Sequence, residues 1–353
     1  MSRIKKFSFL LVYVLVPLPL LGYYLGGFYN YLTFAIIFSL FPLFDYFITD
    51  PSNPNSDEIL PLRHDSFFRA IVLAYLPVQM TVLILSLYLQ QYTILQAYEW
   101  LGFALSTGFV TGGIGITVAH ELMHKNGKRE HFASKALLTM VCYGHFFIEH
   151  VKGHHVRVAT PEDPATARFG ESVYWFLPRT IKGSFLSAWT LEKKRLQRKS
   201  LSSLHWRNQF YWIVGFPLAI LIGLYLLMGM QACLFFLLQS ITAILTLEIV
   251  NYIEHYGLLR KKLANGHYEK VNHLHSWNAH HWLSNIVLFH LQRHSDHHAY
   301  GGKPYQILEH IEESPQLPSG YLGMIALALI PSLWRRVMDP RVEAFQKEHA
   351  EAA

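Results

Sequence analysis

Apolar residues gather along this chain in six long windows, at about 7–27, 28–48, 70–90, 98–119, 209–230 and 231–252, and none of the windows contains Lys or Arg. A helix that crosses a bilayer needs roughly 20 predominantly apolar residues, and each window supplies that length. The pattern predicts an all-α integral membrane protein with six transmembrane helices, in which the blocks 7–119 and 209–252 bracket a polar insert. No internal repeat or low-complexity tract divides it, so residues 1–353 read as a single membrane-embedded domain. The apolar stretch from Gly320 to Trp334 is too short for a span and ends at Arg335 and Arg336, which marks it as an interfacial or docked helix. Asp50-Pro51-Ser52-Asn53-Pro54-Asn55 reads as a turn-rich loop, and 192–208 as a basic, helical surface stretch facing anionic headgroups.

Composition and charge turn that pattern into a topology. Apolar residues make up 52% of the chain and charged ones only 15%. All 30 Lys and Arg lie outside the windows, and the connections 27–28, 91–97 and 230–231 contain none. Cationic loops stay on the cytoplasmic side. The amino terminus with Arg3, Lys5 and Lys6, the segments 49–69 and 120–208, and everything after about 253 are therefore expected in the cytoplasm. Both termini then share a side, as an even number of spans requires, and the expected location is a bacterial inner membrane. The first window follows a basic start but runs into the second span without an evident small-residue cleavage site, so it reads as a permanent helix rather than a signal peptide. The same topology accounts for the net charge of +6 and leaves no need for a nucleic-acid partner. Cys142 and Cys233, the only cysteines, lie far apart and form no C-x-x-C pair, so the chain holds neither a disulfide framework nor an iron–sulfur or rubredoxin centre of its own. Gly112-Gly113-Ile114-Gly115 sits inside an apolar window, away from the strand and acid of a dinucleotide site, and reads as close helix packing.

Against that apolar background, 21 histidines are a large excess, and they cluster. His120-Glu121-Leu122-Met123-His124 closes the fourth window, with the two imidazoles one helical turn apart on one face. Glu149-His150-Val151-Lys152-Gly153-His154-His155 follows in the insert. Asn251-Tyr252-Ile253-Glu254-His255-Tyr256-Gly257 closes the sixth window, and His294-Ser295-Asp296-His297-His298 lies beyond it. A lone histidine at a helix end is usually an interfacial residue, but the topology brings all four clusters to one membrane surface. Nine imidazoles exceed the roughly four to six ligands of one ion, so two ions are implied. Imidazole suits iron, zinc, copper and nickel alike. Neutral ligands leave the ions' charge uncompensated, which points to nearby carboxylates orienting the rings: Glu121, Glu149, Glu254 and Asp296, with the intramembrane Glu248 a weaker candidate. His-Glu-x-x-His also fits a zinc protease with Glu121 as general base, but that reading leaves the other clusters unexplained. A metal transporter would place its ligands near the bilayer midplane rather than at one surface.

At these residues the chain resembles the bacterial alkane 1-monooxygenases (alkane ω-hydroxylases), relatives of the membrane fatty-acid desaturases. The likeness is carried by His120 to Lys125, by Glu149 to His155 running into Arg157-Val158-Ala159-Thr160-Pro161-Glu162-Asp163-Pro164, by Asn251 to Gly257, by His275-Ser276-Trp277-Asn278, and by Leu291-Gln292-Arg293-His294-Ser295-Asp296-His297-His298. It runs from the first span to about Arg341. One departure is Met123, where alkane hydroxylases usually carry Gly and the related xylene monooxygenases a similar Met. The resemblance implies that His120, His124, His150, His154, His155, His255, His294, His297 and His298 ligate two irons that activate O2. His145, His273, His275, His281 and His290 are expected in structural or supporting roles. The implied reaction is hydroxylation of the terminal methyl of an n-alkane drawn from the bilayer; the alternatives are desaturation of an acyl chain or attack on an aromatic methyl group. With no electron carrier in the chain, the resemblance implies rubredoxin as donor, fed by its reductase and NADH, and the basic positions Lys152, Arg157, Lys193, Lys194, Arg195 and Lys199 offer an acidic carrier a face.

Overall fold

In the computed structural model, which describes residues 3–351, five helices are long and apolar enough to cross a membrane: Gly27–Phe47, Ser66–Tyr92, Ala97–Met123, Phe210–Met228 and Met230–His255. The pair Arg3–Leu15 and Leu18–Leu25 is long and apolar enough only when taken together and is bent by 41°, the form of a broken span or of a re-entrant loop; counted as one span it brings the number to six. Pro17 sits in the break, where its missing N–H and its ring interrupt the helical ladder. These six elements, numbered here as first to sixth span, fall on the six apolar windows. Among the described residues there is no strand, only isolated bridges between loops.

The fourth span is the axis of the bundle, with 83% of its apolar window buried inside the protein against 11% for the fifth. Glycines allow that centrality. A Cβ at Gly108 would come within 2.5 Å of the Gln239 carbonyl oxygen, and one at Gly112 within 2.5 Å of Ala243 Cα, so the fourth and sixth spans touch backbone to backbone. The glycine-rich run is thus a packing device. At the end away from the histidines the turns are tight: Gly26 and Gly229 take positive φ, and the Gly27 N–H donates to Glu99 Oε1 at 2.6 Å.

At the other end lie the polar segments. The insert forms the helix Lys128–Thr139, a helical run at 146–157, and the helix Val173–Gln197. The basic stretch expected to be helical through 208 stops at Gln197, where Ser200 turns to φ 54° and the chain continues as turns to the fifth span. Beyond the sixth span come the helices His294–Ala299, Tyr321–Ala328 and Pro331–Glu351. Tyr321–Ala328 buries Tyr321, Leu322, Met324, Ile325 and Ala328 against the second and sixth spans, a docked helix rather than a crossing one. Trp334, Met338 and Val342, all fully buried, seat the last helix beside it.

Candidate metal centre

Two departures from α-helical winding aim the histidines. Thr111–Ile116 in the fourth span and His150–His154 in the insert are π-helical, with a backbone bond from i to i+5. The first lies just upstream of His120, whose turn is tied to the insert by the Ser134 hydroxyl donating to the Ala119 carbonyl at 2.7 Å. In the second, the wider period sets His150 beside His155, their Nε2 atoms 3.0 Å apart, and turns His154 elsewhere. His255 is the last residue of the sixth span. On the short helix His294–Ala299, the i and i+4 residues His294 and His298 face each other, Nε2 to Nε2 at 2.9 Å, while His297 projects differently.

All nine side chains converge, in two groups. His120, His124, His150, His155 and His297 form one; His154, His255, His294 and His298 form the other; in each, one ligand atom per residue lies within 4.8 Å of every other. The sequence neighbours His154 and His155 therefore serve different groups, as do His297 and His298. In the first group His150 Nε2 lies 3.1 Å from His124 Nε2, and His297 Nε2 lies 3.1 Å from His155 Nε2. In the second, His294 Nε2 is 3.3 Å from His255 Nε2. The groups adjoin through His155 and His298, whose ring centroids are 4.4 Å apart.

The residues fit resident metal ions. Two nitrogens at right angles, each about 2.1 Å from one ion, would stand about 3.0 Å apart, the spacing found. A neutral imidazole has one N–H to give, yet His150 Nε2 and His155 Nε2 each face two other nitrogens; only a cation at the focus satisfies them all. His120 Nε2 and His154 Nε2 are buried with no hydrogen-bond partner, an arrangement that costs about 1–3 kcal/mol per group unless something else binds there. Burial first, and then the neighbouring imidazoles, hold His150, His155, His294, His297 and His298 well below the usual histidine range, so at neutral pH they are uncharged and free to ligate.

Among the described residues, carboxylates touch only the four-histidine group. Asp163 Oδ2 accepts from His154 Nδ1–H at 2.9 Å and from the Thr166 hydroxyl at 2.7 Å. Because a carboxylate can only accept, the proton sits on Nδ1 and Nε2 is left as the inward lone pair. Burial alone raises the Asp163 pKa, but the electrostatic pull and hydrogen bond of His154, with the Thr166 hydroxyl, outweigh it and hold the carboxyl below its ordinary value. Glu254 Oε2 lies 3.2 Å from His294 Nε2, and the Ser276 hydroxyl 3.4 Å from His255 Nδ1.

Comparison with known proteins places this arrangement in a family. The fatty acid desaturase family model matches residues 98–328. Alkane 1-monooxygenase 2 of Pseudomonas aeruginosa is 46% identical over 98% of this chain and 94% of its own length. Alkane 1-monooxygenase 2 of Alcanivorax borkumensis is 42% identical over 98% and 93%. The chain belongs to the alkane 1-monooxygenase family. A more distant relative is the xylene/toluene monooxygenase hydroxylase component of Pseudomonas putida, 28% identical over 96% of this chain and 90% of its own.

In this alkane 1-monooxygenase family member the other acidic candidates have partners away from the ring nitrogens. Glu121 pairs with Lys125 at 2.6 Å, and Glu149 with Arg157 at 2.6 Å. Asp296 accepts from Lys303 Nζ at 2.7 Å and from the Glu309 N–H at 2.8 Å. Glu248 is satisfied within the bundle by the Tyr143 and Thr180 hydroxyls, at 2.6 and 2.8 Å, and by Asn251 at 3.2 Å. His290 donates to the Tyr305 carbonyl, His275 meets Glu269, His273 approaches Asp296, His145 lies beside the Tyr143 ring, and His281 stacks on His280. None of the five enters either group. The residue that sequence reasoning passed over is Asp163: it stands in the run after His155 that carried the resemblance, but nothing local shows that the chain doubles back to bring it onto His154. Cys142 and Cys233 are free.

Proposed function

We propose that this chain is a membrane di-iron monooxygenase that converts n-alkanes to 1-alkanols with O2, taking electrons from rubredoxin. The observation that carries the reading is the pair of adjoining histidine foci, in a chain up to 46% identical to alkane 1-monooxygenases. His120, His124, His150, His155 and His297 would hold one iron and His154, His255, His294 and His298 the other. Bound there, iron would supply the O2 activation and oxidising power that an unactivated C–H bond demands and side chains cannot provide. The chain's own part is to bind and place. Asp163 fixes the tautomer of His154, and Glu254 sets a carboxyl group beside His294. The apolar spans shield the site from water and offer the alkane a route from the bilayer. Internal methylene C–H bonds are weaker than terminal ones, so attack at the methyl group follows from holding the chain end at the metals.

By the positive-inside rule the histidine end and both termini face the cytoplasm of a bacterial inner membrane. Exposed Lys152, Lys193, Lys194 and Lys199 give an acidic rubredoxin a face to approach, while Arg157 and Arg195 are engaged by Glu149 and Glu192. Such steering is screened beyond about 10 Å at 0.1 M salt, so activity at limiting rubredoxin should fall as salt rises. The decisive experiment supplies the purified, iron-loaded protein with rubredoxin, its reductase, NADH and a medium-chain alkane. A 1-alkanol is the expected product; an alkene, or no product from any alkane, would reject the reading. A second reading rests on Met123, which is buried next to His124 and matches the residue usual in xylene monooxygenases. Faster turnover of a xylene than of an alkane in the same assay would favour it.

A further inference from the structure

A cluster of oxidisable aromatic rings stands next in sequence to His255, a member of the four-histidine group. Tyr256 directly follows His255, and its ring contacts Trp334 at 5.2 Å between centroids and Tyr252 at 5.3 Å; Tyr252 and Trp334 stand 4.9 Å apart. All three are fully buried. A second connection runs through His255 Nδ1 to the Ser276 hydroxyl, on to the next residue, Trp277, and from the Trp277 indole N–H to the Tyr256 carbonyl at 2.8 Å. The two phenols differ in their partners, the Tyr256 hydroxyl also accepting from the Gly170 N–H at 3.0 Å. Tyr252 donates to a backbone carbonyl, that of Glu171 at 2.7 Å. Tyr256 donates to a carboxylate, Asp339 Oδ1 at 2.7 Å, on the half-buried face of the last helix. A phenylalanine ring would fill the same volume. What the phenol adds is an oxidisable group with a base positioned to take its proton.

We propose that Tyr256, with Trp334 and Tyr252, is a redox relay that draws oxidising equivalents off the histidine ligands when O2 and electrons arrive without alkane; the proposal rests on the metal-centre reading above. In the first step one electron leaves the Tyr256 ring and reduces the oxidised metal centre by one equivalent. The phenolic O–H bond breaks, its proton passes to Asp339 Oδ1, and a neutral tyrosyl radical remains. Trp334 and Tyr252, in ring contact, can each give that radical an electron and so spread the hole away from His255. One electron from the external carrier that drives turnover then fills it, and the proton returns from Asp339. The hole is kept in rings that can be reduced again, instead of in imidazoles whose oxidation would destroy the site.

The test uses the full-length, iron-loaded protein, reduced and mixed with O2 in the absence of alkane, then freeze-quenched for electron paramagnetic resonance. A tyrosyl signal is expected in the wild type, lost in Tyr256→Phe and weakened in Asp339→Asn. Over repeated alkane-free cycles Tyr256→Phe should inactivate several-fold faster, with oxidised histidine rising in peptide mass spectra, while alkanol yield in a single turnover stays as in the wild type. Trp334→Phe, which keeps an aromatic ring in place, should narrow the spread of oxidised residues without abolishing the signal. Iron binding and alkane turnover with no aromatic radical, or an unchanged signal in Tyr256→Phe, would overturn the relay alone. A protein that binds no iron would overturn the relay and the metal reading together.

Discussion

The five-histidine and four-histidine groups stand side by side and differ in cover and in charge. In the larger group His124 and His155 are partly exposed, whereas every member of the smaller one is buried. Asp163 and Glu254 lie against the smaller group; among the described residues no carboxylate comes within ion-pair distance of the larger. The difference follows from what an ion needs. Near solvent, water and counter-ions offset the charge that neutral imidazoles cannot; in a dry site a cation is costly unless a paired anion is built in. The carboxyl groups are thus found at the group that solvent cannot reach.

The harshest way to break the comparison is to remove a ligand from each side. His298→Ala and His155→Ala should each lower alkane hydroxylation by more than the roughly 10–100-fold that loss of a ligand-supporting residue costs, with metal analysis showing loss of iron in step. If one of the two variants keeps near-normal rates, the groups are not a joint centre. Next in size, Asp163→Asn and Glu254→Gln should cost about 10–100-fold in iron affinity or rate. Glu121→Gln and Asp296→Asn, whose carboxylates pair with lysines and with none of the nine grouped imidazoles, should cost only a few-fold. Equal losses in all four would show that the asymmetry has no functional weight.

The histidine clusters, the apolar spans and the packing role of the fourth-span glycines were legible in the sequence, because each depends on local pattern: helical spacing, apolar length, small residues in a span. The partition of the histidines was not. A reader of His154-His155 or His297-His298 groups neighbours together, and only the π-helical turn at His150–His154 and the one-and-a-half-turn helix at His294 separate them. Asp163 was hidden for the same reason, since its partnership is made by a turn between 157 and 166. The end of the helix at Gln197 was also missed, because the basic composition of 192–208 carries on past the point where Ser200 reverses the backbone.

Acid should sharpen the comparison further. Burial lowers His145 from 6.5 to about 4, and burial with His280 nearby lowers His281 and His310 likewise to about 4. Their folded pKa values lie below the unfolded one, so their contribution to stability is complete above pH 6.5 and is lost as pH falls toward 4, where the unfolded chain alone takes up protons. Ligand histidines protonate at the expense of metal in the same direction. Iron retention and thermal stability, measured from pH 7 down to about 4.5, should fall together, with the partly exposed five-histidine group losing its iron first. Loss from the four-histidine group first would reverse the assignment of cover. The smallest effect is expected at Gly301, where an added Cβ would stand 3.2 Å from His155 Cε1 and 3.6 Å from His124 Nδ1. Gly301→Ala should slow turnover a few-fold without changing iron content, and a larger loss than that of Asp163→Asn would show the outer rim to matter more than the buried carboxylate.

The central claim, one iron in each group, is met most directly by counting iron per chain in three purified proteins: the wild type, His150→Ala/His297→Ala and His294→Ala/His298→Ala. Close to two are expected in the wild type and close to one in each double variant. A wild type that holds a single iron, or zinc that supports activity in place of iron, would contradict it.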